Sequence, residues 1–177
     1  MTETVTRDNR RALDGFLDSF ERLEPTWARN GHAWLQPVRR AALGRLADLG
    51  FPTVHDEDWR FTNLAPMVST VFRSAASDGA HVDTASLAPF ALSGCDGTRL
   101  VFVNGRFALE ASALSVLPAG VRAGSLAQTL AGDRAALEPH LARHEDFQRE
   151  AFSALNTAFL TDGAFVFVPR GTVVEKP

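Results

Sequence analysis

The sequence contains one cysteine, one lysine and no tyrosine, and it has no long hydrophobic run. Because Cys95 has no second cysteine to pair with, a disulfide within the chain and a zinc site built from several cysteines are both excluded. No segment approaches the roughly 18 apolar residues that a membrane-spanning helix needs, and residues 1–11 are too polar for a secretory signal. We therefore expect a soluble protein of the cytosol.

The basic side chains are almost all arginines, and the formal net charge is −3. A net negative charge gives no general attraction to nucleic acid or to anionic membranes, so we expect neither as a partner. The pairs Arg10-Arg11 and Arg39-Arg40 fit solvated helix faces. The phosphate-binding motif G-x-x-x-x-G-K-[ST] and the hydrolase motif G-x-S-x-G do not occur. We therefore predict that the chain is not an enzyme and that any ATPase activity comes from a partner.

Apolar residues at helical spacing predict two N-terminal helices, at residues 8–24 and 33–49. Pro25 is expected to end the first helix. Pro37 is tolerable only in the first turn of the second helix, where backbone N–H groups have no partner within the helix. Gly50 is expected to stop that helix.

The next segment carries three adjacent acidic residues, Asp56, Glu57 and Asp58. Thr53 or His55 is expected to cap a short helix whose first turn holds these residues, because the helix dipole favours negative charge there. Three apolar side chains are expected to anchor the segment to the preceding helices: Trp59, Phe61 and Leu64.

After a polar linker at residues 74–84 the pattern changes to strand. Residues 100–103 and 106–109 flank Asn104-Gly105, which is the strongest short signal for a β-hairpin. A third strand is expected at residues 114–117. Helical patterns then return: Ser125 is expected to cap a helix at 126–130, and further helices are expected at 133–143 and 145–159, with a break near Pro139.

The end of the chain combines a helix with an apolar strand. An apolar face at helical spacing is formed by Phe152, Leu155 and Phe159. Gly163 is expected to stop this helix in a left-handed conformation. Residues 164–168 are a continuous run rich in Phe and Val, typical of a strand buried on both faces, and residues 172–174 begin another strand. Such a strand needs neighbours, so we expect its partner strands to be missing or to belong to another chain.

Several blocks of the sequence resemble one known family. Residues 50–64 (GFPTVHDEDWRFTNL) resemble a G-(hydrophobic)-P-T-x-x-x-E-x-W-(R/K)-(aromatic)-T motif of SufD-like scaffold subunits of the Suf iron–sulfur cluster assembly system. Residues 100–106, 154–159, 162–169 and 174–177 resemble later blocks of the same family in the same order. The resemblance covers roughly residues 34–177.

The resemblance implies a fold and partners. Family members are about twice as long, with a mostly helical N-terminal domain, a parallel β-helix core and a C-terminal helical domain. It also implies a SufB-like paralogous subunit and a SufC-like ATPase as partners, with contacts mostly beyond residue 177. The family complex is implied to assemble an iron–sulfur cluster, whose proposed histidine and cysteine also lie beyond this segment, so no cofactor is expected within it.

We therefore predict an α+β fold whose last strands begin a truncated parallel β-helix. The expected organisation is a helical N-terminal region at residues 1–90, an α+β part at 91–160, and the incomplete start of the β-helix core at 161–177. Each coil of a β-helix is satisfied only by its neighbours. We therefore expect the isolated chain to be marginally soluble or to self-associate through residues 164–168.

Two acidic or histidine-containing groups are candidate sites. His140 and His144 are four residues apart and would share a face of an unbroken helix, as pairs of metal ligands do, with Glu145 adjacent. No third ligand is identifiable, so an exposed helix face is the better interpretation. The run of His55 and the three acidic residues that follow it offers carboxylates that point in different directions on a helix, so it fits a charged helix start better than a metal or catalytic site.

Cys95 lies in a glycine-containing loop without a basic neighbour that would activate its thiol, and we interpret it as incidental. The tryptophans Trp27, Trp34 and Trp59 are interpreted as core or interface anchors. The sequence therefore assigns no catalytic, cofactor-binding or metal-binding residue.

The leading interpretation is a non-catalytic scaffold subunit, represented here by its N-terminal domain. One alternative is a cupin-like, metal-dependent β-barrel enzyme, because the strand leading into Pro169-Arg170-Gly171 is similar to the turns of such barrels. Those sites need a histidine cluster near that turn, and no histidine follows His144. A second alternative is a free-standing helical adaptor, which would fold as a stable monomer.

Overall fold

The computed structural model describes residues 2–75, 82–91, 97–144 and 146–175, and the side chains from residue 7 onward. The chain forms two compact units. The first unit comprises Met1–Ser74 and Arg134–Leu160, and the second unit comprises Ala75–Asp133 and Thr161–Pro177. Helices and short antiparallel strands are both present, which confirms the predicted α+β class.

In chain order the helices are α1 (Thr2–Trp27), α2 (Gln36–Leu49), α3 (Ala65–Val68), α4 (Leu126–Gly132), α5 (Arg134–Leu137) and α6 (Ala151–Ala158). The strands are β1 (Phe102–Val103), β2 (Arg106–Phe107), β3 (Arg122–Ser125) and β4 (Ala164–Phe167). A π-helical turn covers Ala28–His32, and 3-10 turns cover Ala33–Leu35, Glu57–Trp59, Thr84–Phe90 and Leu109–Ala111. Within the described ranges, no helix combines the length and the hydropathy that crossing a bilayer would require.

Helix α1 is longer than predicted, because Pro25 lies inside it and does not end it. A proline disturbs only the hydrogen bonds of the preceding turn. Here the helix continues to Trp27, whose side chain is buried and packs edge-on against the ring of Phe20 at a centroid distance of 5.3 Å. This buried aromatic contact holds the last turn of α1. Helix α2 has Pro37 in its first turn, as predicted, but it begins at Gln36 and not at residue 33, because Ala33–Leu35 form a 3-10 turn.

The core of the first unit is formed by α1, α2 and α6. Helices α2 and α6 pack closely because the facing residues Ala42, Ala154 and Ala158 are small and fully buried. The predicted apolar face of α6 is present, with Phe159 packing edge-on against Phe20 at 5.9 Å. The alanines of α6, however, are more deeply buried than Phe152, because they face α2 directly.

A side-chain clamp joins α1 to the segment that follows α2. The Asn9 Nδ2 donates to the backbone oxygen of Phe51 at 2.7 Å, and the Phe51 N–H donates to Asn9 Oδ1 at 2.9 Å. The preceding residue, Gly50, ends α2 with a φ of 66°, a conformation that favours glycine. The clamp thus fixes the start of the motif that begins at Gly50.

We expect Asn9→Ala to lower the free energy of unfolding by about 2 kcal/mol, because both hydrogen bonds are lost and the backbone groups of Phe51 lose their partner. Urea denaturation followed by circular dichroism measures this change. Arg10→Ala, an exposed neighbour, serves as the control and should change stability by less than about 0.5 kcal/mol. Equal stabilities of the two variants would show that the clamp contributes nothing.

The segment after Gly50 differs from the prediction. Its helix is a single 3-10 turn at Glu57–Trp59, and neither Thr53 nor His55 caps it. Instead the Asp56 carboxylate accepts from the Thr53 N–H at 2.7 Å, which stabilises the turn before the helix. Trp59 does anchor the segment, with its ring 5.2 Å from that of Phe152. Phe61 does not, since it is 90% exposed.

In the second unit the predicted hairpin is confirmed. Phe102 pairs with Phe107 and Val103 pairs with Arg106 in an antiparallel register. Asn104 and Gly105 connect the strands with φ angles of 50° and 76°, as a two-residue turn matching the strand twist requires. The predicted third strand at residues 114–117 is wrong, because these residues form no strand with the described part of the chain; the neighbouring Ala113 makes an isolated bridge to Arg99.

The last two helices are shorter than predicted. Ser125 caps α4 as expected, its hydroxyl accepting from the Gln128 N–H at 3.2 Å. Helix α5 ends at Leu137, two residues before Pro139, which is consistent with the restriction that proline places on the preceding residue. Helix α6 begins only at Ala151. Gly163 has no left-handed conformation.

A candidate interaction surface on strand β4

Strand β4 exposes apolar side chains that the sequence predicts to be buried on both faces. Val166 is 61% exposed and Phe167 42%, and Val168, directly after the strand, is 44% exposed. One edge of β4 is hydrogen-bonded to β3, and the described residues contribute no strand to the other edge. The predicted burial on both faces is therefore wrong for this chain, because burying a strand face needs elements packed over it, and the described residues leave Val166 and Phe167 largely exposed.

The two faces of β4 differ in chemistry. The antiparallel register places Arg122 opposite Phe167 and Ala123 opposite Val166. On one face, the Arg122 guanidinium lies over the rings of Phe165 and Phe167, at 5.2 and 5.3 Å from their centroids. An ion pair with Asp133 at 2.8 Å holds that guanidinium in place. The opposite face carries Val166 without such a cover.

One carboxylate, that of Asp162, holds the elements around β4 together. Its Oδ1 accepts from the Ser125 hydroxyl at 2.8 Å, from the Ala127 N–H at 3.0 Å and from the Gly163 N–H at 2.8 Å. Its Oδ2 accepts from the Phe107 N–H at 2.8 Å. The Asp162 carboxylate therefore connects the hairpin, the start of α4 and the residue before β4 through its hydrogen bonds.

The pKa of Asp162 reflects this arrangement. Burial acts to raise the pKa of the carboxyl, but hydrogen bonds from Ala127, Phe107, Gly163 and Ser125 outweigh burial, so the pKa lies below its ordinary value. Asp162 is thus charged at neutral pH. In the sequence, Asp162 is only the residue before Gly163, where the last predicted helix is expected to end. Three of its four partners lie 35 to 55 residues away, so no local pattern could reveal them.

Arg39, in the first unit, also differs from the prediction of a solvated helix face. Arg40 is exposed, as expected, but the Arg39 side chain is fully buried. Its Nε and Nη2 donate to the Leu160 backbone oxygen at 3.2 and 2.5 Å, and its guanidinium lies 4.7 Å from the Trp27 ring centre. Burial lowers the pKa of Arg39 to about 10, opposed in part by the Glu24 carboxylate, so the group stays charged at neutral pH.

The predicted histidine pair is not on a helix. His140 and His144 lie in turns after α5, both exposed, with ring centroids 6.1 Å apart and nearly parallel planes. Glu145 lies outside the described residues. Among the residues that the structure does describe, no group of three or more His, Cys, Asp or Glu side chains is placed to hold a metal ion.

The other candidate residues named from the sequence do not form a common site in the described part of the chain. His55 and the acidic residues that follow it are exposed and converge on no common point, with Asp56 engaged in its local turn. Cys95 lies outside the described residues. Trp27 is a core residue and Trp59 packs on Phe152, while Trp34 lies 5.3 Å below the Arg134 guanidinium.

We expect the 177-residue chain to self-associate through β4, because an open strand edge bearing apolar side chains can pair with another copy. Val166→Lys should weaken this association about tenfold, since a charge replaces an apolar contact. Sedimentation velocity at several concentrations measures the effect. Val116→Lys adds the same charge at a fully exposed position outside any strand and should leave association unchanged. A chain that is monomeric at every concentration would contradict this expectation.

Comparisons with known proteins agree on one family. A family model described as the SufBD protein N-terminal region matches residues 11–177. An iron–sulfur cluster assembly SufBD family protein of Synechocystis sp. is 34% identical to this chain over 139 residues. This alignment covers 78% of the chain but 30% of the relative, so the chain spans less than a third of the length of the curated protein it matches.

Proposed function

Because this chain belongs to the SufBD family, through its N-terminal region, we propose that it is part of a non-catalytic scaffold subunit that serves in iron–sulfur cluster assembly. The family match confirms the resemblance to the SufB/SufD family. The SufD-like type, rather than the SufB-like one, is the finer part of the proposal and rests on the motif in residues 50–64. The proposal retains the cytosolic location expected from the sequence.

The proposed partners are a SufB-like paralogous subunit and a SufC-like ATPase. Both would contact the scaffold subunit mostly beyond residue 177, as the family resemblance implies. The nascent cluster would also be held outside this segment. What this chain contributes is therefore structural: it supports the start of the scaffold and presents surface to its neighbours.

The observation that carries the proposal is the open apolar edge of β4 within the family-matched region. We propose that β4 and the residues after Pro169 form the first coil of a parallel β-helix in the longer protein. The next coil would pair with the free edge of β4 and cover Val166, whereas β3 would stay on the opposite edge. Stacking of coils in this way satisfies backbone groups that are otherwise open.

Co-purification of the complete gene product with its SufB-like and SufC-like partners tests the scaffold function. We expect a stable complex on which an iron–sulfur cluster can be reconstituted. In the complete protein, Val166→Lys should disrupt the complex or the fold, because the side chain is then buried by the next coil. A complex that is unaffected by Val166→Lys would contradict the β-helix part of the proposal, and the absence of any complex would contradict the scaffold part.

Metal analysis of the purified 177-residue chain separates the scaffold from the cupin-like enzyme. The scaffold proposal expects no stoichiometric metal in this segment. Stoichiometric iron, manganese or zinc that is lost in the variant His140→Ala/His144→Ala would favour the enzyme instead.

A further inference from the structure

A groove with a volume of about 400 Å³ runs along α1 in the first unit, facing the residues that follow α3. It lies outside the β4 surface and plays no part in the proposed scaffold function. Its floor is apolar and its rim is acidic. These two properties together indicate what could bind there.

The floor is made by Phe16, Val71 and Phe72. The rings of Phe16 and Phe72 are stacked, with centroids 6.1 Å apart and planes 22° from parallel. Phe72 is nevertheless 50% exposed, and the adjacent Val71 is 71% exposed. Val71 and Phe72 therefore expose apolar surface to water beside Phe16. Covering such a surface with an apolar partner is energetically favourable.

The rim carries more negative than positive charge. Asp8, Asp14 and Asp18 line the groove together with one basic residue, Arg11, which gives a formal net charge of −2 at neutral pH. Asp14 and Asp18 are exposed and lie four residues apart on the same face of α1. Their potential favours a cationic ligand and repels nucleic acid phosphates or anionic lipids.

We propose that this groove docks a cationic amphipathic helix of a partner protein. Apolar side chains of that helix would cover Phe16, Val71 and Phe72, and its Lys or Arg side chains would approach the three aspartates. A second copy of this chain fits less well, because each copy carries a formal net charge of −3.

A fluorescent 14-residue peptide of leucine and lysine at helical spacing is the probe, and fluorescence anisotropy with the 177-residue chain is the measurement. The triple variant Asp8→Asn, Asp14→Asn and Asp18→Asn should bind the peptide about tenfold more weakly, because three surface charge contacts are removed. A control triple, Glu21→Gln, Glu57→Gln and Asp58→Asn, removes the same charge outside the groove. The control should change affinity less than about twofold.

A second comparison probes the apolar floor without changing charge. Val71→Ser should weaken peptide binding about threefold, because part of the covered apolar area is lost. Val54→Ser, an exposed valine outside the groove, should have no effect. Docking at this groove would be supported if the charge variants and the valine variants both weaken binding more than their controls do.

Three results would overturn the inference. One is the absence of peptide binding, and another is equal weakening by the groove and control triples, which would show general charge attraction only. The third is a dimer that dissociates specifically in the groove triple, which would make a second copy the occupant. None of these results bears on cluster assembly, so the scaffold proposal stands or falls separately.

Discussion

Replacing Arg39 with alanine is expected to lower the free energy of unfolding by about 4 kcal/mol. The side chain is fully buried, so its removal leaves a cavity between α2 and the aromatic core. The Leu160 backbone oxygen also loses both of its donors from this side chain, at 3.2 and 2.5 Å, and Trp27 loses the guanidinium above its ring. For a chain of this length the expected decrease in melting temperature is roughly 10 °C.

Two further variants separate the causes. Arg39→Met keeps most of the volume and removes Nη1, which is buried and has no hydrogen-bond partner in the described part of the chain. We expect it to cost about half as much as alanine, because only the Leu160 oxygen is left without its donors. Arg40→Ala is the control: its side chain is 68% exposed and pairs with Glu24 at the surface, so its loss should cost far less than that of Arg39.

Guanidinium denaturation of all three variants measures these differences. If Arg39→Ala and Arg40→Ala were equally stable, the contacts of Arg39 would contribute no more than a surface ion pair. Such a result would contradict the conclusion that the buried contacts of Arg39 stabilise the first unit.

Replacing Asp162 with alanine is expected to destabilise the second unit by about 3 kcal/mol. Four donors lose the Asp162 carboxylate as their acceptor. Among them, the partly buried N–H groups of Phe107 and Ala127 are left without this hydrogen bond. Hydrogen exchange should show faster exchange of these two amides. Asp133→Ala is the control, because the ion pair that Asp133 makes with Arg122 is partly exposed; its loss should cost below about 1 kcal/mol.

The lowered pKa of Asp162 sets the direction of a pH dependence. A carboxyl whose folded pKa lies below its ordinary value of 3.8 stabilises the fold above that pH, and this contribution is lost as the pH falls through the folded pKa. The wild-type chain should therefore lose more stability between pH 5 and pH 2 than Asp162→Asn does. Equal losses in the two proteins would show that this carboxylate does not take part in acid unfolding.

Local signals in the sequence were sufficient for several elements. Asn104-Gly105 specifies its hairpin because both residues accept positive φ angles, and Ser125 specifies the start of α4 because its hydroxyl satisfies a free N–H group. Pro37 marks the first turn of α2 for the same kind of reason. Each of these depends on interactions within four residues, which a sequence displays directly.

Prediction failed where distant residues or the number of neighbours decided the outcome. Pro25 did not end α1, because burial of Trp27 outweighed the local cost of the proline. The run that forms β4 has the composition of a doubly buried strand, yet it is exposed in this chain, because composition does not supply a second neighbouring strand.

By itself, the sequence determined the α+β class, the hairpin turn, the cap of α4 and membership of the SufBD family. Only the tertiary structure decided that Arg39, one of two adjacent arginines, is buried. It also decided that the Asp162 carboxylate accepts hydrogen bonds from distant segments of the chain. The reason is separation along the chain: Arg39 meets Leu160 across 121 residues, and Asp162 meets Phe107 across 55. Burial of a charge depends on which distant backbone groups fold against it, and no local pattern records them.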